Sequence, residues 1–199
     1  MIMPDKDSIT GLILAGGRGS RMGSVDKGLQ EFHGTPMVMH VQRRLAPQVG
    51  RLIINANRNL AQYAEFGVPV YSDEITGFAG PLAGLQAGLR HCKTPYLVTA
   101  PCDTPFLPDN LVLRLAEGLA SQHADLAIAT TGEGESYQPH PVFCLLHASL
   151  LGHLETFLQS GQRKIDAWYS TLKVANVHFD NEAAFRNINT REELRQTQP

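Results

Sequence analysis

Ile9-Thr10-Gly11-Leu12-Ile13-Leu14-Ala15-Gly16-Gly17-Arg18-Gly19-Ser20-Arg21-Met22-Gly23 is the stretch that decides the fold. Ile9–Ala15 is a short apolar run, the pattern of a strand buried on both faces. It ends abruptly in Gly16-Gly17, where the chain can turn sharply and bring its amides close to an anion. Arg18, Arg21 and Lys27 add three cations to the same loop, and Asp26 is its one acid. A buried strand that opens into a basic glycine loop suits a polyphosphate. Two familiar phosphate motifs do not fit. GxxxxGK[ST] has no register here, and in GxGxxG the glycines Gly17 and Gly19 put the third position on Met22.

Outward from this stretch, short apolar runs alternate with helical patterns. Strands are expected at Arg51–Ala56, Val68–Ser72, Pro95–Ala100, Asp125–Thr130, Pro141–His147 and Val174–Phe179. Helices are expected from Thr35-Pro36 to about Leu45, with Thr35 as N-cap and Pro36 at the first helical position. Further helical stretches are Asn59–Glu65, Pro81–His91, Pro108–Ser121, Leu150–Gln159, Lys164–Leu172 and Thr190–Gln196. This alternation predicts an α/β protein with three layers. Its centre is expected to be a mostly parallel twisted sheet with helices on both faces, a Rossmann-like arrangement. Glycine and proline are spread along the chain rather than gathered into a linker, so residues 1–199 read as a single domain.

Composition narrows the function. The chain has 199 residues, of which 43% are hydrophobic and 18% charged, enough for a packed core. Its net charge of −2 is not that of a general duplex-DNA binder. Residues 1–100 carry +3 and residues 101–199 carry −5. The three cysteines, Cys92, Cys102 and Cys144, are widely spaced and form no CxxC pair, so neither a zinc site nor a disulfide scaffold is indicated. No signal peptide is visible, and no apolar stretch approaches the ~20 residues that span a bilayer. A cytoplasmic protein with no membrane or nucleic-acid partner is expected.

In an open parallel sheet, ligands bind at the carboxyl ends of the strands. Every chemistry-bearing segment falls at such an end. Asp103, in Pro101-Cys102-Asp103-Thr104-Pro105, follows the strand 95–100, where it can ligate Mg²⁺ together with substrate phosphate oxygens or can cap its turn or the helix starting near Pro108. Asn55 and Asn57 end the strand 51–56; an amide reads a nucleobase edge, and it also serves as a turn residue. Asp73 closes the next strand. Gly80-Pro81-Leu82-Ala83-Gly84 starts a helix with residues small enough for a ligand or the sheet to come close. Cys102 has no histidine near it in sequence and reads as a buried structural thiol. His140, before Pro141 and after a polar loop, is a candidate to face the cleft. No HExxH or HxxxH spacing occurs among the eight histidines.

Together these segments resemble a known family. Leu14-Ala15-Gly16-Gly17-Arg18-Gly19-Ser20-Arg21-Met22-Gly23 with Asp26-Lys27 is similar to the signature loop of nucleotidyltransferases of the sugar-nucleotide pyrophosphorylase fold. Asn55-Ala56-Asn57-Arg58, Asp73 before Gly80–Gly84, the Asp103 turn and Asn187-Ile188-Asn189-Thr190-Arg191 narrow the resemblance to the molybdenum cofactor guanylyltransferases. One departure is that two residues, Ser24 and Val25, separate Met22-Gly23 from Asp26-Lys27, where many members of the superfamily have one.

The resemblance implies transfer of GMP from GTP to the molybdopterin-bound molybdenum cofactor, with release of pyrophosphate. It implies that Leu14, Ala15 and Gly16 contact guanine and ribose through the backbone. Gly17, Arg21 and Lys27 would hold phosphates, with Arg21, Lys27 and Asp103 as the catalytic set. Asn55 and Asp73 would bind the guanosine part, and Asp103 would hold Mg²⁺. Asn187, Asn189 and His140 would lie on the acceptor side. Because molybdopterin is labile, transient contact with a cofactor-delivery protein is also expected. The rival expectations are a related transferase using CTP or UTP or a sugar or alcohol phosphate acceptor, and a non-catalytic nucleotide-binding subunit.

Overall fold

Strand β1 (Ile9–Leu14) lies at the centre of the sheet, and its alternating side chains feed two cores. Ile9 and Ile13 pack into one core, and Leu12 into the other. The computed structural model describes residues 3–16, 26–75 and 80–188. Gly17, Arg21, Asn189 and the expected helix 190–196 lie outside them.

The other strands of the main sheet are β4 (Arg51–Asn55), β5 (Val70–Tyr71), β6 (Tyr96–Pro101), β7 (Leu126–Thr131), β8 (Gln138–His147) and β9 (Val174–His178). A two-stranded ribbon, β2 (Glu31–Phe32) and β3 (Thr35–Pro36), stands apart. The sheet order is β5-β4-β1-β6-β8-β7-β9. The β5/β4, β4/β1, β1/β6 and β7/β9 pairs are parallel, whereas β8 is antiparallel to both of its neighbours. The chain builds outward from β1 to β4 and β5, then returns to lay β6 on the other side of β1. That reversal creates a crevice at the carboxyl ends of β1 and β6.

Helices α1 (Met37–Leu45), α2 (Leu60–Ala64) and α4 (Leu111–Ser121) cover one face through Val38, Val41, Leu45, Tyr63, Leu111 and Leu115. Helices α3 (Pro81–His91), α5 (Leu151–Gln159) and α6 (Ile165–Tyr169) cover the other through Leu82, Leu85, Leu89, Leu154, Phe157 and Trp168. The three-layer α/β architecture read from the sequence is therefore present. Among the described residues no helix is long and apolar enough to cross a membrane.

Several boundaries differ from the sequence reading; the expected helix Lys164–Leu172 is Ile165–Tyr169 and the expected strand Val68–Ser72 is Val70–Tyr71, and three other differences have a tertiary reason. Thr35 does not cap α1. It pairs with Phe32 across the His33-Gly34 turn, where both residues have positive φ, and the helix begins at Met37 with Pro36 in the cap position. Helix α4 begins at Leu111 rather than Pro108, because Gln48 reaches across to it. Its Oε1 accepts from Val112 N at 3.0 Å, and its Nε2 donates to Pro108 O at 2.9 Å. Strand β8 begins at Gln138 rather than Pro141. Cys144 faces Ile128 but His140 faces Ala129, so residues 141–143 bulge out of the ladder. Proline cannot donate to a ladder, and Pro139 and Pro141 flank His140 at this point.

Candidate active site

Strand β1 hands its backbone to the sheet beyond its last residue. Ala15 N donates to Asn55 O at 2.8 Å, and Cys102 N donates to Leu14 O at 3.0 Å. Gly16 O accepts from Asn57 Nδ2 at 3.3 Å. The segment that opens the glycine loop is thus held between the ends of β4 and β6. The Ala15 carbonyl and Gly16 amide are the backbone groups that bonds among the described residues leave to a ligand.

On the β4 side stands a network of amides around one carboxylate. Asn55 Nδ2 donates to Asp73 Oδ1 at 2.9 Å, and Asn57 Nδ2 donates to Asp73 Oδ2 at 2.8 Å. The Asp73 amide returns a bond to Asn57 Oδ1 at 2.9 Å. Asn55, only 2% exposed, also donates to Tyr71 O at 3.2 Å. A buried amide needs such partners, because an unpaired one would cost about 1–3 kcal/mol. The network fixes the turns after β4 and β5 and presents amides and a carboxylate together beside β1.

Helix α3 closes over this network. Gly84 and Gly88 are four residues apart and share a face. A methyl on Gly84 would meet Leu14 Cδ2 at 2.7 Å and the Asn55 amide, and one on Gly88 would run into Leu12. Their absence lets the helix lie close on β1 and β4. Gly80 before it has φ 65° and ψ −155°, a conformation open in practice to glycine alone. Tight packing against the sheet, one of the two readings of this segment, is therefore its structural role.

On the β6 side, Lys27 Nζ donates to Asp103 Oδ2 at 2.9 Å. The Lys27 side chain is 26% exposed and that of Asp103 is 9%, so the pair lines the floor of the crevice rather than its rim. The Asp103 carboxylate caps no helix: the cap position of α4 is Asn110, seven residues on. Cys102 is buried and its thiol pKa is raised, chiefly by burial and then by the charge of Asp103, as suits a structural thiol.

The late segment returns to the same place. Ile188 N donates to Asp103 O at 2.9 Å, and Ile188 packs with Phe32, Met37 and Phe106. Asn187, next to it and exposed, is thereby set beside the Asp103 turn. His140 joins this side indirectly. Its Nε2 shares a 2.8 Å bond with Thr131 Oγ1, and its ring stacks on Phe185 at 4.7 Å and 17°. Burial lowers the His140 pKa and Glu182 opposes it, so the ring is a neutral polar group near neutral pH.

Of the residues singled out in sequence, Lys27 and Asp103 meet directly, and so do Asn55 and Asp73, on opposite sides of β1. Asn187 lies beside the first pair through the Ile188–Asp103 backbone bond, and His140 meets the late chain through its stack on Phe185 and the charge of Glu182. Gly17, Arg21 and Asn189 lie outside the described residues. Sequence reading did not find the roles of Tyr63 and Asn59, which bond to Asp26 beside Lys27, because nothing in a short helix 33 to 37 residues away points to that loop.

An acidic cation site must be judged on Asp103. Among the described residues no group of three or more His, Cys, Asp or Glu could hold an ion by itself. Mg²⁺ is commonly held by one or two carboxylates plus substrate phosphates. A single shielded carboxylate on a crevice floor, beside a cation suited to phosphate, fits that donor set.

Residues 11–174 match the MobA-like NTP transferase domain. A molybdenum cofactor guanylyltransferase of Cupriavidus necator is 60% identical over 191 residues, 96% of each chain. One from Bordetella petrii is 58% identical over 194 residues, 98% of this chain and 99% of that one. A solved molybdopterin-guanine dinucleotide biosynthesis protein A from Archaeoglobus fulgidus superposes with a TM-score of 0.73 at 25% identity, over 94% of this chain and 95% of that one. A 4-diphosphocytidyl-2C-methyl-D-erythritolsynthase from Anaerococcus prevotii shares the fold, with a TM-score of 0.74 at 15% identity, over 96% of this chain and 97% of that one.

Proposed function

The chain belongs to the MobA-like NTP transferase family, and on that premise we propose that it is a molybdenum cofactor guanylyltransferase. It transfers GMP from GTP to the phosphate of the molybdopterin-bound cofactor and releases pyrophosphate. The observation that carries the reading is the Lys27–Asp103 pair at the carboxyl ends of β1 and β6, below the start of the glycine loop. The names of the relatives at 58–60% identity support guanine as the base and molybdopterin as the acceptor.

The chemistry requires little of the protein beyond placement and charge. The acceptor is a phosphate monoester, largely ionised near neutral pH, so no general base is needed. One of its oxygens attacks the α-phosphorus, and the bond to the bridging oxygen of pyrophosphate breaks. The obstacle is bringing two anions together, which positioning and charge neutralisation relieve. Asp103 would hold Mg²⁺, which would supply positive charge to offset the repulsion between the two anions. Lys27 exchanges its bond to Asp103 for the phosphates and stabilises the departing pyrophosphate, with Arg21 in the same role. The Ala15 carbonyl and the Gly16 amide meet the guanosine, and the Asn55–Asp73 network holds the wall beside it. Asn187, Asn189 and His140 face the acceptor.

The test is a panel of GTP, CTP, UTP and ATP with Mg²⁺, reading pyrophosphate release with and without molybdopterin cofactor. GTP is expected to support acceptor-dependent release. A preference for CTP overturns the guanine assignment, and binding without any release points to a non-catalytic subunit.

A further inference from the structure

Asp26 occupies the cap position of the turn Lys27–Leu29, yet its carboxylate makes no capping bond there. Aspartate at such a position ordinarily accepts from the amides of its own turn. Here both oxygens point away, to helix α2. Tyr63 Oη donates to Asp26 Oδ1 at 2.5 Å, and Asn59 Nδ2 donates to Asp26 Oδ2 at 3.0 Å. Asn59 itself is held in the left-handed region, at φ 52°, in the cap position of α2, and its side chain caps nothing. Two cap positions thus forgo their own turns to bind each other. Asp26 is the first described residue after the glycine loop, and Lys27 follows it directly.

Tyr63 is fully buried in the core beneath α2. A side-chain carbon on Gly28 would collide with its hydroxyl and crowd the Cys102 side chain, so the Asp26-Lys27-Gly28 backbone is folded tightly around that hydroxyl. Burial, the Cys102 thiol and the Asp26 carboxylate all push the Tyr63 pKa up, so the hydroxyl remains a donor. Cys102 adjoins Asp103 in sequence. The same buried point therefore touches the segments that carry both Lys27 and Asp103.

We propose that Tyr63 and Asn59 are positioning residues for Lys27: by clamping Asp26 they fix the end of the glycine loop so that the Lys27 ammonium stands at Asp103. The clamp is a property of the fold, and its effect on GTP rests on the function proposed above. Neither residue touches substrate. They act by removing the freedom that Lys27, on a flexible four-carbon stem, would otherwise have to lose when the triphosphate binds.

The experiment has two arms, so that failure of the clamp and failure of the proposed function are distinguishable. The first needs no nucleotide. The acetylation rate of Lys27 by acetic anhydride is followed by peptide mass spectrometry in the wild-type chain and in Tyr63→Phe, with the exposed Lys164 as internal control. The Lys27 rate, relative to that of Lys164, is expected to rise several-fold in Tyr63→Phe. An unchanged ratio overturns the proposal. The second arm is a double-mutant cycle on GTP affinity, measured calorimetrically with Mg²⁺. Tyr63→Phe is expected to weaken GTP about fivefold when Lys27 is present, and by less than about twofold in Lys27→Ala. Equal losses in both backgrounds mean that Tyr63 acts through the fold at large, and overturn the proposal. Faster Lys27 acetylation in a chain that transfers no guanylyl group upholds the clamp and defeats the proposed function instead.

Discussion

At the scale of single residues, the crevice divides its work between two carboxylates. Asp73 accepts one bond on each oxygen, from the amides of Asn55 and Asn57. Asp103 has one oxygen on a mobile type of cation, a lysine ammonium that can leave when phosphate arrives. On the proposed function the first carboxylate would brace the wall of the crevice, and the second would hold Mg²⁺ once Lys27 turns to the phosphates. Replacing Asp103 by alanine is therefore expected to lower the turnover of guanylyl transfer by roughly 10²–10³-fold. GTP affinity should change by less than about tenfold. Steady-state kinetics beside calorimetric GTP binding checks this, and near-normal transfer by Asp103→Ala would remove the role assigned to it. The sequence offered Lys27, Asn55, Asp73 and Asp103 because each follows a strand-like run. It did not show that they form two separate pairs, since pairing depends on which strands become neighbours.

At the scale of elements, helix α3 illustrates how packing sets up the site. Its boundaries, Pro81–His91, are those read from sequence, because leucines at helical spacing and a proline at the first position are local signals. The reason for Gly84 is not local. It faces the Asn55 amide and Leu14, and both belong to strands reached only after folding. Gly84→Ala is expected to overpack this contact and cost about 1–3 kcal/mol. That lowers the melting temperature by several degrees in a chain of this size and weakens GTP through the displaced Asn55. Gly152→Ala, in α5, is the matched control. A methyl there meets open space, so its melting temperature should hold or rise slightly. Equal melting temperatures for the two variants would show that the close approach of α3 carries no energetic weight. The starts of α1 and α4 differ from the sequence reading by one and three residues, for the related reason that their entries are set by the β2/β3 ribbon and by Gln48, partners remote from the helix or from its pattern.

At the scale of the whole molecule, β8 is the strand that runs against its neighbours, and it carries a histidine near each end. Burial lowers the pKa of His140 and of His147, with Glu182 and Asp125 respectively opposing it. In the unfolded chain both titrate near the ordinary value of about 6.5. Folding thus favours their neutral forms. The stability they share is complete above about pH 6.5 and is lost as pH falls through their lower folded values, because the unfolded chain then binds more protons. The melting temperature should therefore decline between about pH 6.5 and 5. The decline should be shallower in His140→Gln, read by calorimetry across that range. A parallel decline in both proteins would place the pH dependence elsewhere. The alternation of short apolar runs with helical patterns determined the α/β class and put Asn55, Asp73 and Asp103 just at or beyond strand ends, because side-chain periodicity and glycine or proline punctuation are properties of the local chain. Only the tertiary structure decided the order β5-β4-β1-β6-β8-β7-β9, the union of Lys27 with Asp103, and the tie from Asp26 to Tyr63 and Asn59. Those contacts join residues 33 to 76 positions apart, and what fixes them is the burial of two faces of one sheet, which no stretch of the sequence contains by itself.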